Sequence, residues 1–564
     1  MAASTDTRVL TQTLVGLRDE LAGLQLGLDL PGAAEARRAR DEVTDQVDDY
    51  LIPRLRQMDA PLLMVVGGST GAGKSTLVNS LVGSVVSPAG VLRPTTRAPV
   101  LVCHRGDLGW FDDDRVLPGM PRTTGGPATA GGLELVPTDA LRAGLALLDS
   151  PDIDSVVEEN RELAGQLLAA ADSWLFVTTA ARYADAVPWD LLHAARERGT
   201  ALSLVLNRVP PDATEEVSAH LRQMLGERGL GETELLVVPE TELQGGLLPA
   251  AALAPVRRWL DALADDAQAR SALVRRTLGG ALDSLQPRVG AVERALEEQL
   301  QAAGELRAEV ETAYAKGLAE VDETVRSGAL LRGEVLARWH EVVGTGEFMR
   351  TLETRIGWLR DRIRGFLRGG AAPDAELSAA VETSIESVVH AAADRAAERA
   401  ASSWRDHLSG RTLLSGAPRL EHASPELTEA TAEEVRGWQG YVFDLVRDEG
   451  ADRRTTARLA SLGVNGAGLT VMLAVFVQTG GLTGAEIAIA GGTSALSQKV
   501  LEAIFGDQAV RLLATQARTD LLERVERLLA GESERFTRLL APLAPQAEDL
   551  ERLRAALGRV QQAR

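Results

Sequence analysis

The spacing of hydrophobic positions changes along the chain and predicts segments of different structure. In residues 1–60, apolar residues lie three and four apart, the period of an amphipathic helix. Between 61 and 250, short apolar runs alternate with helical patterns, which predicts a mainly parallel α/β sheet with helices on both faces. After Pro255 only helical patterns continue. The strand-length runs read LLMVV, PVLVCH, LALLD, SWLFVTT, ALSLVLN and ELLVVP.

The second half of the chain contains a long helical seam, in which small or apolar residues repeat every three or four positions. A seam of this length has to be covered, so the pattern predicts a partner helix in the same chain or in another subunit. Its members are Val292, Leu296, Leu300, Ala303, Leu306, Val310, Ala313, Gly317, Val321 and Val325.

One late segment differs from the rest, because no charged side chain occurs from Leu459 to Ala485. After Glu486 the uncharged pattern resumes and continues to Lys499. Two interpretations are open: membrane contact, as one span or a short hairpin, and a helical hairpin buried in a bundle. Gly, Thr, Asn and Gln residues dilute the hydrophobicity, so the pattern is a weak signal for a full transmembrane span.

Composition narrows the class of protein. Acidic residues outnumber basic ones by 80 to 60, and the net charge of −20 argues against nucleic acid as the main partner. The only cysteine, Cys103, lies in an apolar run and is expected to be a buried structural thiol. The N-terminal residues are charged throughout and do not resemble a secretory signal, so a cytoplasmic location is expected.

The stretch VVGGSTGAGKST contains the most informative motif. It matches the GxxxxGK[ST] phosphate-binding loop between a predicted strand and a predicted helix. Glycines let consecutive backbone N–H groups turn towards a phosphate, and the helix N-terminus adds partial positive charge. Lys74 is expected to reach the β- and γ-phosphates, and the Ser75 hydroxyl to bind Mg²⁺. The predicted phosphate-binding set is Gly68, Ser69, Thr70, Gly71, Ala72, Gly73, Lys74, Ser75 and Thr76.

Two further motifs are typical of a GTPase that responds to the γ-phosphate. Thr96, in RPTTRAPVLV, precedes a predicted strand, so its hydroxyl can complete the Mg²⁺ coordination, with Thr95 as the competing choice. Asp149 ends the run LALLD, where it would hold Mg²⁺ through water. The predicted metal-binding set is therefore Ser75, Thr96 and Asp149.

The residues after Asp149 depart from the GTPase pattern. A GTPase normally has, three residues later, a glycine that donates its N–H to the γ-phosphate, and here Asp152 stands there. Ile153 follows, which excludes a water-orienting glutamine at that position. Asp152 or Asp154 can orient water instead, although a carboxylate beside a triphosphate is electrostatically costly. The predicted catalytic set is Lys74, Thr96 and Asp152.

The base-reading motif is incomplete. Asn207 follows the run ALSLVL and matches the first residue of the Asn-Lys-x-Asp motif, with Arg208 in place of lysine. The aspartate that pairs with guanine should be residue 210, which is Pro210, and Asp212 lies two residues further on. Either the loop bulges to bring Asp212 to the base, or specificity rests on other groups. The motif favours guanine over adenine.

The loop after SWLFVTT has two interpretations. Arg182 can pair with a phosphate in the same chain or across a head-to-head dimer. Alternatively, the loop simply packs through Tyr183 and Trp189. The sequence has no LSGGQ signature of an ABC ATPase, and the order of its motifs is that of a GTPase.

With these motifs in order, residues 62–245 resemble the dynamin-like GTPase superfamily, in particular bacterial dynamin-like proteins of an actinobacterial type. The stretches LLDSPDIDSV and RYADAVPWD carry part of this resemblance. It implies a head that binds GTP with Mg²⁺, a helical stalk, a membrane-binding tip at the inner face of the cell membrane, and nucleotide-dependent self-assembly. Eukaryotic dynamins use polar Gln and Ser within the P-loop, where this chain has Thr70 and Gly71, so fast hydrolysis is less expected than binding.

The expected fold is an α/β P-loop GTPase domain with a doubly wound sheet, plus a long all-α bundle or stalk with an apolar tip. The predicted segments are N-terminal helices 1–60, the GTPase domain 61–250, a helical neck and stalk 251–452, the apolar hairpin 453–506, and C-terminal helices 507–564 that return to the bundle. The expected partners are GTP or GDP, membrane lipid, and either further copies of the chain or a sister GTPase, but no nucleic acid.

Three functions compete on this basis. The first is a GTP-hydrolysing dynamin-like protein whose nucleotide-dependent assembly acts on membranes. The second is a nucleotide-regulated scaffold in which hydrolysis is slow or absent. The third, a soluble ATPase with a coiled-coil arm, has the weakest support in the motifs.

Overall fold

The structure of the protein is a computed structural model that describes residues 2–87, 98–113, 116–117, 120–126, 128, 131–152, 158–327, 372–449, 472 and 507–564. These residues belong to two compact units. The first unit comprises Met1–Leu26, Gly32–Glu298 and Pro545–Arg564, and the second comprises Gly27–Pro31 and Gln299–Ala544. The predicted boundaries of the five segments stay a prediction.

The first unit contains an eight-stranded sheet with the order β3-β4-β2-β5-β1-β6-β7-β8. Its strands are β1 Leu62–Gly68, β2 Val100–His104, β3 Arg122–Thr124, β4 Leu133–Thr138, β5 Leu145–Asp149, β6 Ser173–Thr179, β7 Ala201–Val209 and β8 Glu234–Pro239. Among these described strands, β2 and β5 pair antiparallel and the other neighbours pair parallel. The mainly parallel sheet predicted from the apolar runs is confirmed.

Helices precede, connect and follow these strands in the first unit. They are α1 Ala2–Gly23, α2 Ala33–Gln46, α3 Ile52–Arg56, α4 Lys74–Val82, α5 Glu158–Ala169, α6 Ala186–Glu197, α7 Thr214–Glu227, α8 Ala250–Asp265 and α9 Ala267–Arg326, of which α9 continues into the second unit. A π-helical turn, Val47–Leu51, joins α2 to α3.

Successive residues of the strands point to opposite faces of the sheet, and each face carries its own apolar core. Leu63 and Val65 of β1 belong to the core that contains residues of α5, α6 and α7. Met64 and Val66 belong to the core with α4 and α8. Helices therefore cover both faces, as in a doubly wound sheet. Cys103 is fully buried in the first of these cores, and burial raises the pKa of its thiol to about 12.

The second unit is helical in its described part. It contains the rest of α9, then α10 Ala372–Asp406, α11 Leu408–Ser415, α12 Glu426–Glu449 and α13 Asp507–Leu540, while α14 Ala547–Ala563 belongs to the first unit. Two buried tryptophans join its helices through their indole N–H groups. Trp404 donates to the Leu306 carbonyl at 3.0 Å, and Trp438 donates to the Ala517 carbonyl at 2.7 Å.

The predicted seam of α9 is buried from Val292 to Val325, apart from the partly exposed Leu300. Within the second unit α10 covers it, so a partner helix lies in the same chain. The approach is close at Gly317, where an added Cβ would lie 3.3 Å from the Ala396 Cβ. A small residue at this point of the seam lets the two helices pack closely.

No described helix has the length and apolar character needed to cross a membrane. The predicted apolar segment, 453–506, lies outside the described residues except for Met472, which is buried in the core of the second unit.

Candidate nucleotide site

The P-loop connects β1 to α4 and requires glycine at two points where other chain segments come close. At Gly68 φ is 147°, and an added Cβ would lie 2.2 Å from the Val177 carbonyl oxygen of β6. At Gly73 φ is 95°, and an added Cβ would lie 2.5 Å from Nδ2 of Asn207. These left-handed conformations and short distances exclude a side chain. The two motif glycines are therefore explained by the packing of the loop against β6 and β7.

Lys74 lies at the first turn of α4 and is 5% exposed. Its Nζ donates to the carbonyl oxygens of Gly68 at 2.8 Å and Ser69 at 3.3 Å. It also forms an ion pair with Oδ1 of Asp152 at 2.5 Å. The structure thus brings together two residues of the predicted catalytic set.

Asp149 ends β5 and is fully buried. Its Oδ2 accepts a hydrogen bond from Oγ of Ser87 at 2.6 Å. Burial raises the pKa of the Asp149 carboxyl, and the charge of Asp152 raises it further. The hydroxyls of Ser75 and Ser87 and the charge of Lys74 oppose this rise in pKa.

The surroundings of Asp149 fit a hard cation. Within the described part of the chain, Oδ1 of Asp149 accepts no hydrogen bond, although it is buried. A buried carboxylate oxygen beside a serine hydroxyl suits Mg²⁺, which binds few protein oxygens and completes its shell with phosphates and water. No group of three His, Cys, Asp or Glu side chains with metal-binding geometry occurs among the described residues. Thr95 and Thr96, the other predicted ligands, lie outside those residues.

Asn207, near the end of β7, joins that strand to the P-loop. Its Nδ2 donates to the Ala72 carbonyl at 2.9 Å, and its Oδ1 accepts from the backbone N–H of Arg208 at 2.9 Å. The side chain is 3% exposed. Both ends of the amide are therefore fixed, and Asn207 supports the loop that the nucleotide phosphates are predicted to contact.

The backbone after Asn207 is irregular. Arg208 has φ 53°, which is uncommon for a residue other than glycine, and the β7–β8 register shifts between Leu206 and Val209. Pro211–Ala213 then forms a 3₁₀ turn that carries the exposed Asp212. Because Pro210 stands where the motif has Asp, the sequence left two alternatives: a bulge that brings Asp212 to the base, or specificity through other groups. A role of Arg208 and Asp212 in base reading stays a prediction.

The loop after β6 packs and also contacts the P-loop. Trp189 is buried, and the Tyr183 hydroxyl lies 2.8 Å from Nδ1 of His220. Arg182 donates to the Thr70 carbonyl at 2.8 Å and pairs with Asp185 at 2.9 Å. Tyr183 and Trp189 pack against other residues, as the packing interpretation expected. The contact between Arg182 and the Thr70 carbonyl was not predicted.

Two residues of the site carry no recognisable sequence signal. Ser87 reaches Asp149, and Asn79 of α4 holds the segment before it by accepting from the N–H groups of Val86 and Ser87 at 2.8 Å each. Asn79 also donates to the Ser87 carbonyl at 2.7 Å. A serine and an asparagine without a motif around them look like ordinary polar residues, so only the fold identifies their role.

These contacts define the class of protein. Strands β1, β5, β6 and β7 are parallel, so their carboxyl ends lie at one edge of the sheet. The P-loop, Asp149 and Asn207 meet there, where ligands bind in doubly wound folds. The chain has the fold and loop of a P-loop nucleotide-binding protein.

Comparisons with known proteins extend this description. No family model matches the chain. The chain is 32% identical to the tRNA modification GTPase MnmE of Acidiphilium cryptum (strain JF-5) over 205 residues, which are 35% of this chain and 44% of that protein. It therefore spans less than half the length of this curated relative.

Two solved structures are among those to which the chain is similar. One is an oligomerised bacterial dynamin pair, described as a mechanism for long-range sensing and tethering of membranes. It is 9% identical with a TM-score of 0.38, over 98% of this chain and 95% of that chain. The other is a variant of Aquifex aeolicus Era bound to GDP and AlF4⁻, 18% identical with a TM-score of 0.25, over 37% of this chain and 56% of that chain.

Proposed function

We propose that the protein binds and hydrolyses GTP with Mg²⁺ and is a dynamin-like GTPase of the cytoplasm that associates with the inner face of the cell membrane. The observation that carries the proposal is the meeting of the P-loop, Asp149 and Asn207 at the carboxyl edge of the sheet. The order of these motifs in the chain supports a GTPase over other P-loop proteins.

In this proposal each element has a separate task. The P-loop N–H groups and Lys74 bind the β- and γ-phosphates. Ser75 and Asp149, with Thr96, hold Mg²⁺, which when bound neutralises charge on the phosphates. Asn207 supports the loop and contacts the base, and Arg208 and Asp212 belong to the same base-side loop. Hydrolysis then depends on the positioning of water and phosphate, and Asp152, which pairs with Lys74, is the proposed water-orienting carboxylate.

A titration with fluorescent GTP and ATP analogues tests the nucleotide assignment. We expect Mg²⁺-dependent GTP binding that is at least about tenfold tighter than ATP binding, because a carboxylate or amide on the base-side loop discriminates purine edges. Lys74→Ala supplies the blank, since it removes the ammonium that contacts the phosphates. Equal or tighter ATP binding would contradict guanine recognition by the Asn207 loop.

Assembly and membrane association form the second part of the proposal. The long helical unit, with Trp404 and Trp438 in its core, supplies a stalk of the kind that the resemblance implies. The uncharged stretch 459–485 supplies the lipid-binding segment in this proposal, through residues other than Met472, which is buried in the helical core. Further copies of the chain or a sister GTPase are the proposed partners.

Flotation with anionic liposomes tests the membrane assignment. We expect the protein to float, and Leu473→Asp with Val475→Asp to reduce the floating fraction at least about fivefold. Each Asp opposes insertion at the centre of the hydrocarbon layer by about 2.5–3.5 kcal/mol. The matched control is Leu512→Asp, an equally large change at a described residue of α13 that is 54% exposed. A protein that stays in the soluble fraction with and without GTP would refute the membrane part.

A nucleotide-regulated scaffold with slow or absent hydrolysis is the second candidate. The ion pair between Lys74 and Asp152 favours it, because it engages the lysine that a triphosphate needs. Phosphate release under saturating GTP separates the two candidates, since a scaffold binds GTP without measurable turnover.

A further inference from the structure

Lys74 is fully engaged in the structure. An ammonium group has three N–H donors, and Lys74 directs them to the Gly68 carbonyl, the Ser69 carbonyl and the Asp152 carboxylate. A phosphate oxygen that approaches Lys74 therefore has to displace one of these acceptors. Asp152 is the only one of the three that is charged and lies outside the P-loop.

The ion pair lies in a sheltered place. The Lys74 side chain is 4% exposed and that of Asp152 is 24% exposed, so water screens the pair less than an open surface pair. A phosphate and this carboxylate compete for the same cation and repel each other. Nucleotide binding therefore has to break or weaken the contact between Lys74 and Asp152.

The position of Asp152 makes this competition depend on the number of phosphates. Asp152 occupies the place, three residues after Asp149, where a GTPase has the glycine that faces the γ-phosphate. If the GTPase pattern holds here, the γ-phosphate rather than the α- or β-phosphate is expected to be the group nearest Asp152.

We propose that Asp152 holds Lys74 in the nucleotide-free chain and selects against the triphosphate, so that the ratio of diphosphate to triphosphate affinity is set at this residue. This inference rests on the proposed nucleotide-binding function and adds a residue that determines its specificity. Asp152 acts through Lys74 and through repulsion of the γ-phosphate. Triphosphate binding then requires Asp152 to leave Lys74.

Asp152→Asn tests the proposal, because it removes the charge and keeps nearly the same volume. Affinities for fluorescent GTP and GDP are measured with Mg²⁺ in the wild type and the variant. We expect the variant to bind GTP about tenfold more tightly than the wild type does, which corresponds to about 1.4 kcal/mol. Its affinity for GDP should increase by less than about threefold. Unchanged affinities, or equal gains for both nucleotides, would overturn the proposal.

The matched control is Asp139→Asn, which makes the same change in an exposed ion pair with Arg105. Asp139 follows β4 and lies at the edge of the sheet opposite to the P-loop. This placement follows because β4 is parallel to β2, and β2 runs antiparallel to β5. We expect no change in either affinity from this control. If Asp139→Asn increased the affinity for GTP as much as Asp152→Asn does, the change in net charge would explain both increases. That result would overturn the proposal.

A second readout separates this proposal from a structural role of Asp152. Without nucleotide, Asp152→Asn should have a lower melting temperature than the wild type, because Lys74 loses its charged partner. With saturating GTP, the variant should have the higher melting temperature of the two. A variant that stays less stable with GTP bound would indicate a purely structural pair. If neither protein binds GTP or GDP above the Lys74→Ala blank, the proposed function itself fails, whereas normal binding with an unchanged ratio rejects only this inference.

Discussion

Asp172→Ala is expected to destabilise the first unit by about 3–5 kcal/mol, the cost of breaking a buried ion pair from one side. Asp172 lies just before β6, with Oδ1 3.0 Å from Nε of Arg54 and Oδ2 accepting the Leu63 N–H at 2.8 Å. The side chains are 3% and 8% exposed. The substitution leaves a buried guanidinium of α3 without its counter-charge and a buried N–H of β1 without its acceptor.

Calorimetric unfolding measures this loss, and Asp139→Ala is the matched control. Asp139 pairs with Arg105 at 2.9 Å, a distance similar to the buried pair, but the two side chains are 71% and 63% exposed. Exposed pairs contribute at most about 1 kcal/mol, because water screens the charges. Similar losses for the two variants would show that burial of Arg54 and Asp172 is not the cause.

The surroundings of Asp172 act on the pKa of its carboxyl in opposite directions. Burial raises the pKa of the carboxyl, while the charge of Arg54 and the hydrogen bond from Leu63 lower it. The ion pair and the hydrogen bond to Leu63 link α3 to the start of β1. Their loss is therefore expected to loosen α3 from the start of β1.

The sheet could be predicted where strands are buried on both faces. In β1, β5 and β6 every residue is buried, so each strand reads as a continuous apolar run. The two unpredicted strands, β3 and β4, are the outer strands of one edge. β3 has three residues, none of them buried, and β4 has only two buried residues. Such short, half-exposed runs resemble loops in a sequence.

The strand order could not be predicted from the pattern. Apolar runs indicate that strands exist, but no periodicity shows that β2 pairs antiparallel with β5 while its other neighbour is parallel. Pairing depends on the paths of the connections, which include long stretches with weak patterns. The helical seam of α9 was predictable for the opposite reason, because one continuous helix keeps its period over many turns.

The same distinction between local and distant signals applies to the site. The P-loop could be predicted because its residues are contiguous and each has a defined chemical role. The contacts that support it join residues far apart: Lys74 to Asp152, Ser87 to Asp149, and Arg182 to Thr70 lie 78, 62 and 112 positions apart. The sequence analysis placed Lys74 and Asp152 in one catalytic set, but it gave no reason to place Ser87 beside Asp149 or Arg182 on the Thr70 carbonyl.

Asn207→Ala is expected to weaken nucleotide binding about 10- to 100-fold, and two separate effects contribute. The substitution leaves the buried Ala72 carbonyl without its donor, which costs about 1–3 kcal/mol. It also removes the amide that is proposed to contact the base. The first effect weakens all nucleotides alike, because the P-loop loses its support, and the second weakens only those with the matching base.

Affinities of the Asn207→Ala variant for GTP, ATP and a triphosphate without a base separate the two effects. A loss common to all three measures the support of the P-loop, and an additional loss for GTP measures base reading. Asp212→Asn is the companion variant, because it lies on the same loop but is exposed and makes no described contact to the P-loop. This variant is expected to bind the triphosphate without a base as tightly as the wild type does. If the 3₁₀ turn brings Asp212 to guanine, its affinity for GTP alone should decrease. If Asn207→Ala leaves all three affinities unchanged, the hydrogen bond to Ala72 does not support the phosphate site.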